Sequence, residues 1–275
     1  MEIHLAEMSQ GDQNDLQHLT STIAGKIGDG VKKTESVFDL ACIYRVPEEL
    51  RKLKKSAYTP RLIAIGPLHR GDKHLQTPLQ HVKMSYTNYL FSRLTAGMED
   101  HEAVHTMTTV LQNCVAEMQA SIDYAKKFYT EEVTLDAEMM LVDGCFILEF
   151  LYRYRTQTRT VIKESKSISS FIIIFVIVNF VHRKRNVEKL GQKRDPIFGN
   201  TLTLSNVKND LVLLENQIPF FVLEKLFQLT VDGIRNRPDE NWSLTDYLRR
   251  CYDFKTSHEN KESISYCHIL HNLQD

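Results

Sequence analysis

His101-Glu102-Ala103-Val104-His105 has the H-E-x-x-H spacing. On a helix this pattern sets two imidazoles one turn apart, where they bind zinc while the glutamate activates the metal's water. It is the one motif here that spells out a reaction, a zinc-dependent hydrolysis. Its surroundings argue against that chemistry. No H-x-x-G-x-x-H extension follows, and nothing singles out Glu117, Glu131, Glu132 or Glu138 as a third ligand. Acidic Glu99 and Asp100 precede the motif, close to Gly97, at an exposed helix start. In a chain with 11 histidines a chance match is the better reading. Phosphate-loop, dinucleotide and nucleophile-elbow glycine patterns are all absent. The cysteines (Cys42, Cys114, Cys145, Cys251 and Cys267) are widely spaced and form no C-x-x-C. They read as buried thiols in a reducing compartment. The expectation is therefore no catalytic residue, no cofactor and no enzyme.

Other polar residues read as structural. Asp143 and Glu149 lie within an apolar helical stretch and need buried partners. Glu215, Asn216 and Gln217 stand beside Pro219, where they can satisfy backbone groups freed by a kink. His69-Arg70-Gly71-Asp72-Lys73-His74 reads as a solvated polar turn.

The elements that carry these residues follow from periodicity. Leu16, Leu19, Ile23 and Ile27 predict a helix over 13–27, ended by Gly28 and Gly30. Pro47 opens a short helix, and 58–67, with two prolines, is extended with a turn or a brief strand. Thr77-Pro78 starts a helix with Leu79, Val82, Tyr86, Tyr89, Leu90 and Leu94 on one face, and Gly97 is its C-cap. Val104 through Phe128 repeat at three and four residues. Residues 135–152 are apolar on most sides, as befits a central helix. Ser205 or Asn206 can cap the next helix, which Pro219 must interrupt or kink. Ser243 with Asp246 resembles a capping box, and Trp242 can staple onto Tyr247. A last helix spans about 263–273. The fold class is mainly α, an irregular multi-helix bundle with at most one or two short strands.

The chain has 275 residues, 42% hydrophobic and 25% charged, and a net charge of −1. That composition excludes collagen, a disordered chain and a polytopic membrane protein. The first eleven residues lack a secretory signal pattern. Neutrality conceals an asymmetry: residues 152–194 hold eleven Lys/Arg and two acids, +9 against −10 elsewhere. Within that segment runs an apolar stretch, 171–181, followed at once by His182-Arg183-Lys184-Arg185. It is shorter than the roughly 20 residues of a bilayer span. It reads as a buried element, an interfacial membrane segment or a non-native insertion from retained non-coding sequence. The basic excess lacks interleaved aromatics, so no nucleic acid partner is expected.

Three blocks carry a resemblance. They are Cys42-Ile-Tyr-Arg-Val-Pro-Glu-Glu-Leu50 continuing to Ile65-Gly-Pro-Leu-His69, Met140 through Glu149, and Asn209 through Phe227. In type and order they resemble the plant domain-of-unknown-function 247 family, over about residue 40 to the end. The resemblance implies a helical cytoplasmic-type domain with no established activity, and a membrane helix near the C-terminus of full-length members. In grasses, some members look like pollen-side determinants of self-incompatibility. It also implies structural roles for Arg45, Pro47, Asp143, Gly144 and Glu215-Asn216-Gln217. On this basis 1–38 is an N-terminal extension. Residues 39–275 are the N-terminal part of the family domain, truncated before its membrane helix, with an atypical spacer at about 155–194. The expected work is recognition or signalling by contact with an unidentified protein, on the cytoplasmic side of a membrane, without secretion. Membrane association would run through 171–185 or the missing helix. The alternative is a zinc hydrolase using His101, Glu102 and His105.

Overall fold

A computed structural model describes residues 10–38, 40–165, 195–235, 237, 241–252 and 266–274. The chain divides into two compact units, Met1–Ala41 and Cys42–Asp275. In the first, helix α1 spans Gln10–Phe38. It continues through Gly28 and Gly30, where the sequence predicts an end. Glycine weakens a helix by about 1 kcal/mol relative to alanine, but it keeps its N–H and the hydrogen-bond ladder continues.

The second unit runs through α2 (Glu48–Leu53), α3 (Val82–Leu94), α4 (Asp100–Lys126), α5 (Ala137–Ser165), α6 (Thr201–Asp210), α7 (Phe220–Leu229), α8 (Leu244–Cys251) and α9 (Ile269–Gln274). Short 3-10 turns at Lys55–Ala57, Lys73–Leu75, Pro78–His81 and Val231–Gly233 join them. The fold is mainly α. Among the described residues the expected strand content is reduced to one parallel bridge, Ile43 with Tyr129.

Helix α5 is the axis. Met140, Cys145, Phe146, Ile147 and Phe150 are all fully buried on it, and α3, α4, α7 and α8 pack around it. Its all-round hydrophobicity is what a central helix requires. Tyr86, Phe146, Phe150 and Phe198 form a chain of tilted ring contacts, 5.2, 6.3 and 5.3 Å between successive centroids. Gly144 lets α7 approach closely, because a Cβ there would run into Leu226.

The caps refine the sequence reading. Asn200, not Ser205 or Asn206, caps α6: its Oδ1 accepts from Leu202 and Thr203 N–H at 2.9 and 3.2 Å. Pro219 does more than kink a helix. Residues 211–219 leave the helix altogether, and Pro219 becomes the N-cap position of α7. The Ser243–Asp246 capping box forms, and Trp242 meets Tyr247 edge-on at 5.4 Å. Helix α5 covers the start of the 155–194 spacer, but the apolar run 171–181 and the basic 182–185 lie outside the described residues. No helix among the described residues is long and apolar enough to cross a membrane.

The C-terminal segment carries a pH-sensitive tie. Cys267 N–H donates to His271 Nδ1 at 3.1 Å, and His271 N–H donates to His268 Nδ1 at 3.3 Å. His268 is 6% exposed. Burial, with His271 beside it, lowers its pKa to about 4. In the unfolded chain the same ring protonates near 6.5. Folded protein thus refuses a proton that unfolded protein accepts, so the contribution is intact above about pH 6.5 and fades as pH falls toward 4. A loss of about 3 kcal/mol is expected across that window. Urea titrations at pH 7 and pH 4.5 check it: His268→Phe should show a visibly flatter pH dependence than wild type.

Candidate functional site

Residues 61–66 run outside any helix between Pro60 and Pro67, and their backbone N–H groups need acceptors. In a sheet a neighbouring strand would supply them. Here side chains do. Asp210 accepts from the N–H groups of Arg61, Leu62 and Ile63 at 2.9, 2.7 and 3.0 Å. Burial nevertheless pushes the Asp210 carboxyl pKa up, and these three bonds only partly offset it. Asn216 accepts from Ile65 N–H at 2.7 Å and donates to Ile63 and Asp210 carbonyls at 2.9 and 2.8 Å. Asp143 accepts from Gly66 N–H at 2.8 Å. Gln217 works locally, donating to Leu211 and Leu213 carbonyls at 2.8 Å each.

Glu215, fully buried, anchors the chain further upstream. It accepts from Val46 N–H at 2.8 Å and binds both oxygens to Arg51 Nη2 at 2.8 and 2.9 Å. Arg45 lies 3.9 Å away and also bonds Glu131 at 3.1 Å and the Leu68 carbonyl at 3.2 Å. His69 is 1% exposed, so the expected solvated turn is corrected at this residue. Its Nδ1 meets Asp72 at 2.9 Å, and its Nε2 lies 3.2 Å from Glu215, out of hydrogen-bond alignment. The turn folds inward because the buried carboxylate draws in a polar ring that would otherwise face water.

A second buried charge cluster stands midway along α5. Glu149 binds Arg93 through two 2.8 Å bonds and Arg153 at 2.5 Å. Arg153 also pairs with Asp195, which accepts from Ile197 and Phe198 N–H at 2.9 Å each and from Tyr86 Oη at 3.0 Å. The Arg153 guanidinium lies over the Tyr86 and Tyr89 rings at 4.6 and 4.4 Å. Burial, and then Asp195, raise the Tyr86 pKa. Burial alone would lower that of Arg153, but Glu149 and Asp195 outweigh it and the guanidinium stays charged.

Beside the extended segment opens a cleft of about 200 Å³, lined by Arg70, Gln76, Gln80, Lys83, Glu138 and Asp143. Lys83 pairs with Asp143 at 2.6 Å and donates to the Ala64 carbonyl. Arg70 pairs with Asp136 at 2.6 Å. Burial works to raise Asp136, but Met139 N–H and Arg70 bring it below the usual carboxylate range. Both cations of the cleft are thus ion-paired. The arrangement holds backbone in place; Asp143 and Asp136 already accept from fixed donors. Asp143→Asn should cost about 2 kcal/mol, because it leaves Lys83 without its counter-charge while the Gly66 bond survives. A lowered urea midpoint at unchanged slope checks this.

His101, Glu102 and His105 are all exposed on the first turns of α4. Among the described residues no group of three or more His, Cys, Asp or Glu is placed to hold a metal ion. The structure does bring together Asp143, Glu149, Glu215, Asn216 and Gln217 with partners that sequence reasoning missed: Arg51, Lys83, Arg93, Arg153, Tyr129, Asp195 and Asp210. One signal was available. Lys83 and Arg93 are cations set in the apolar stripe of α3, where a buried acid must meet them.

The sequence profile of the DUF247 family, described as plant protein of unknown function, matches residues 43–275. UPF0481 protein At3g47200 of Arabidopsis thaliana is 33% identical over 189 residues, 68% of this chain and 31% of that protein. Putative UPF0481 protein At3g02645 of Arabidopsis thaliana is 22% identical over 197 residues, 72% of this chain and 29% of that protein. The chain therefore spans about a third of the length of these curated relatives. No solved structure matches it. The matched residues include every side chain of the network that holds 61–66 in place, and the chain belongs to the plant DUF247 family of uncharacterised proteins.

Proposed function

We propose that this chain is a non-enzymatic recognition module of a plant protein that works on the cytoplasmic side of a membrane, by contact with another protein. One observation carries the non-enzymatic part. Asp143, Glu149, Asp210 and Glu215, the buried carboxylates among the described residues, accept from backbone amides or from Arg and Lys. A general acid or base needs a proton to exchange with a substrate, and these groups are bound to fixed partners. The membrane part rests on the family resemblance and on the apolar-basic run 171–185.

Three measurements test the reading. Metal analysis of the purified chain is expected to give zinc well below one equivalent; stoichiometric zinc that is lost on His101→Ala would overturn it. Carbonate extraction of the expressed chain should leave it in the membrane pellet, and release to the supernatant would remove the membrane half. In-cell crosslinking should give one discrete heteromeric adduct, and only uncrosslinked monomer would remove the contact half.

A further inference from the structure

Helix α1 carries Leu16, Leu19, Ile23, Ile27 and Val31 at steps of three and four residues. At 100° per residue they fall within about 120° of the helix surface, as one continuous stripe. Each of them is between 40% and 62% exposed. The stripe lies outside the matched residues 43–275, so the family domain does not account for it. The helix also needs support to form. Gly25, Gly28 and Gly30 each weaken it by about 1 kcal/mol relative to alanine, and a Cβ at any of them would meet nothing within 4 Å. Such a helix draws its stability from packing of its apolar face.

The charges and the register say what packs there. Residues 10–18 hold Asp12 and Asp15 and no Lys or Arg, a charge of −2. Residues 26–38 hold Lys26, Lys32 and Lys33 against Asp29 and Glu35, a charge of +1. The helix is therefore complementary to its own reverse. The stripe is also symmetric about Ile23. When two copies cross there in opposite directions, Leu19 of one meets Ile27 of the other, Leu16 meets Gly30 and Val31, and Ile23 meets itself. Positions 15 and 33 are five whole turns apart and share one flank of the stripe. In an antiparallel pair like flanks face one another, so Asp15 of each copy comes level with Lys33 of the other, to within about 3 Å along the axis.

We propose that α1 is a self-association helix, through which two copies of this chain pair as an antiparallel, two-fold symmetric dimer. A parallel pair would set acidic end on acidic end. A membrane surface fits less well, because helices that lie on anionic bilayers carry a Lys/Arg-rich polar face, whereas α1 holds four acids against three lysines.

The test uses the full 275-residue chain. Light scattering behind a sizing column, at about 50 µM, above the micromolar dissociation constant expected of a small interface, should read twice 31.9 kDa. Ile23→Asp sets two carboxylates together at the centre of the pair and should weaken the dimer at least tenfold. Ile23 is 47% exposed, so the change buries no charge within the chain itself. Asp15→Lys alone and Lys33→Asp alone should each weaken the dimer several-fold, and both substitutions in one chain should restore it. In a parallel pair the single variants would exchange one like-charge contact for another and change little. A monomer at this concentration, a dimer indifferent to Ile23→Asp, or single charge variants without effect would each overturn the proposal. So would a chain that is monomeric in solution and floats with vesicles of phosphatidylcholine and phosphatidylserine, which would assign the stripe to a membrane surface.

Discussion

Replacing Glu215 with alanine is expected to lower stability by about 4 kcal/mol, the largest single-residue effect on the polar network. The carboxylate is fully buried and carries three duties. It accepts from Val46 N–H, neutralises Arg51 through two bonds, and lies 3.2 Å from the buried His69. Removing it leaves the Val46 amide without its acceptor and the half-buried Arg51 guanidinium without its counter-charge, with the Val46 carbonyl at 3.2 Å still accepting from it. That desolvation penalty exceeds the net value of the original bonds. The denaturant midpoint of purified protein measures the effect. Arg51→Ala alone should cost less, since Glu215 keeps Val46 N–H and Arg51 is 22% exposed. The double variant should cost less than the two singles combined, because the unpaired cation is then gone. Additive losses would mean that the pair does not act as a unit.

Gly66→Ala is expected to cost about 3–4 kcal/mol, from two independent sources. Gly66 has φ +70, a conformation that alone costs a side chain about 1–2 kcal/mol. Its Cβ would also fall well inside van der Waals contact of the Gln217 carbonyl. That carbonyl cannot move aside easily. It accepts from Tyr129 Oη at 3.0 Å, while Gln217 is itself tied to two backbone carbonyls. Gly97→Ala is the control. It shares a positive φ, +83, but a Cβ there meets nothing within 4 Å. It should cost only about 1 kcal/mol. Comparable losses in both variants, read from urea midpoints, would show that backbone strain dominates and that the approach to Gln217 does not matter.

The helices were legible because their signals are local. The apolar surround of 139–148 marks α5 as central, and Ser243-x-x-Asp246 marks the start of α8. The ends were harder. Gly28 and Gly30 looked like terminators, although glycine only weakens a helix. Ser205 and Asn206 looked like caps, but Asn200 stands at the first turn where free N–H groups are available. The carboxylates in apolar stretches were legible as structural nodes from type alone, since a buried charge demands a partner. Which partner was not legible. Asp210 meets Arg61, and Glu215 meets Val46, across roughly 150 to 170 residues of chain, and periodicity carries no information at that range.

By itself, then, the sequence determined the helical class, the central helix, the family and the need for buried counter-charges. Each depends on residue type and near-neighbour spacing. Only the tertiary structure decided that segment 61–66 takes side chains in place of a strand partner, that His69 turns inward, and that His101, Glu102 and His105 face solvent. These are long-range pairings, set by how the helices close around α5, and a linear pattern cannot encode them one residue at a time.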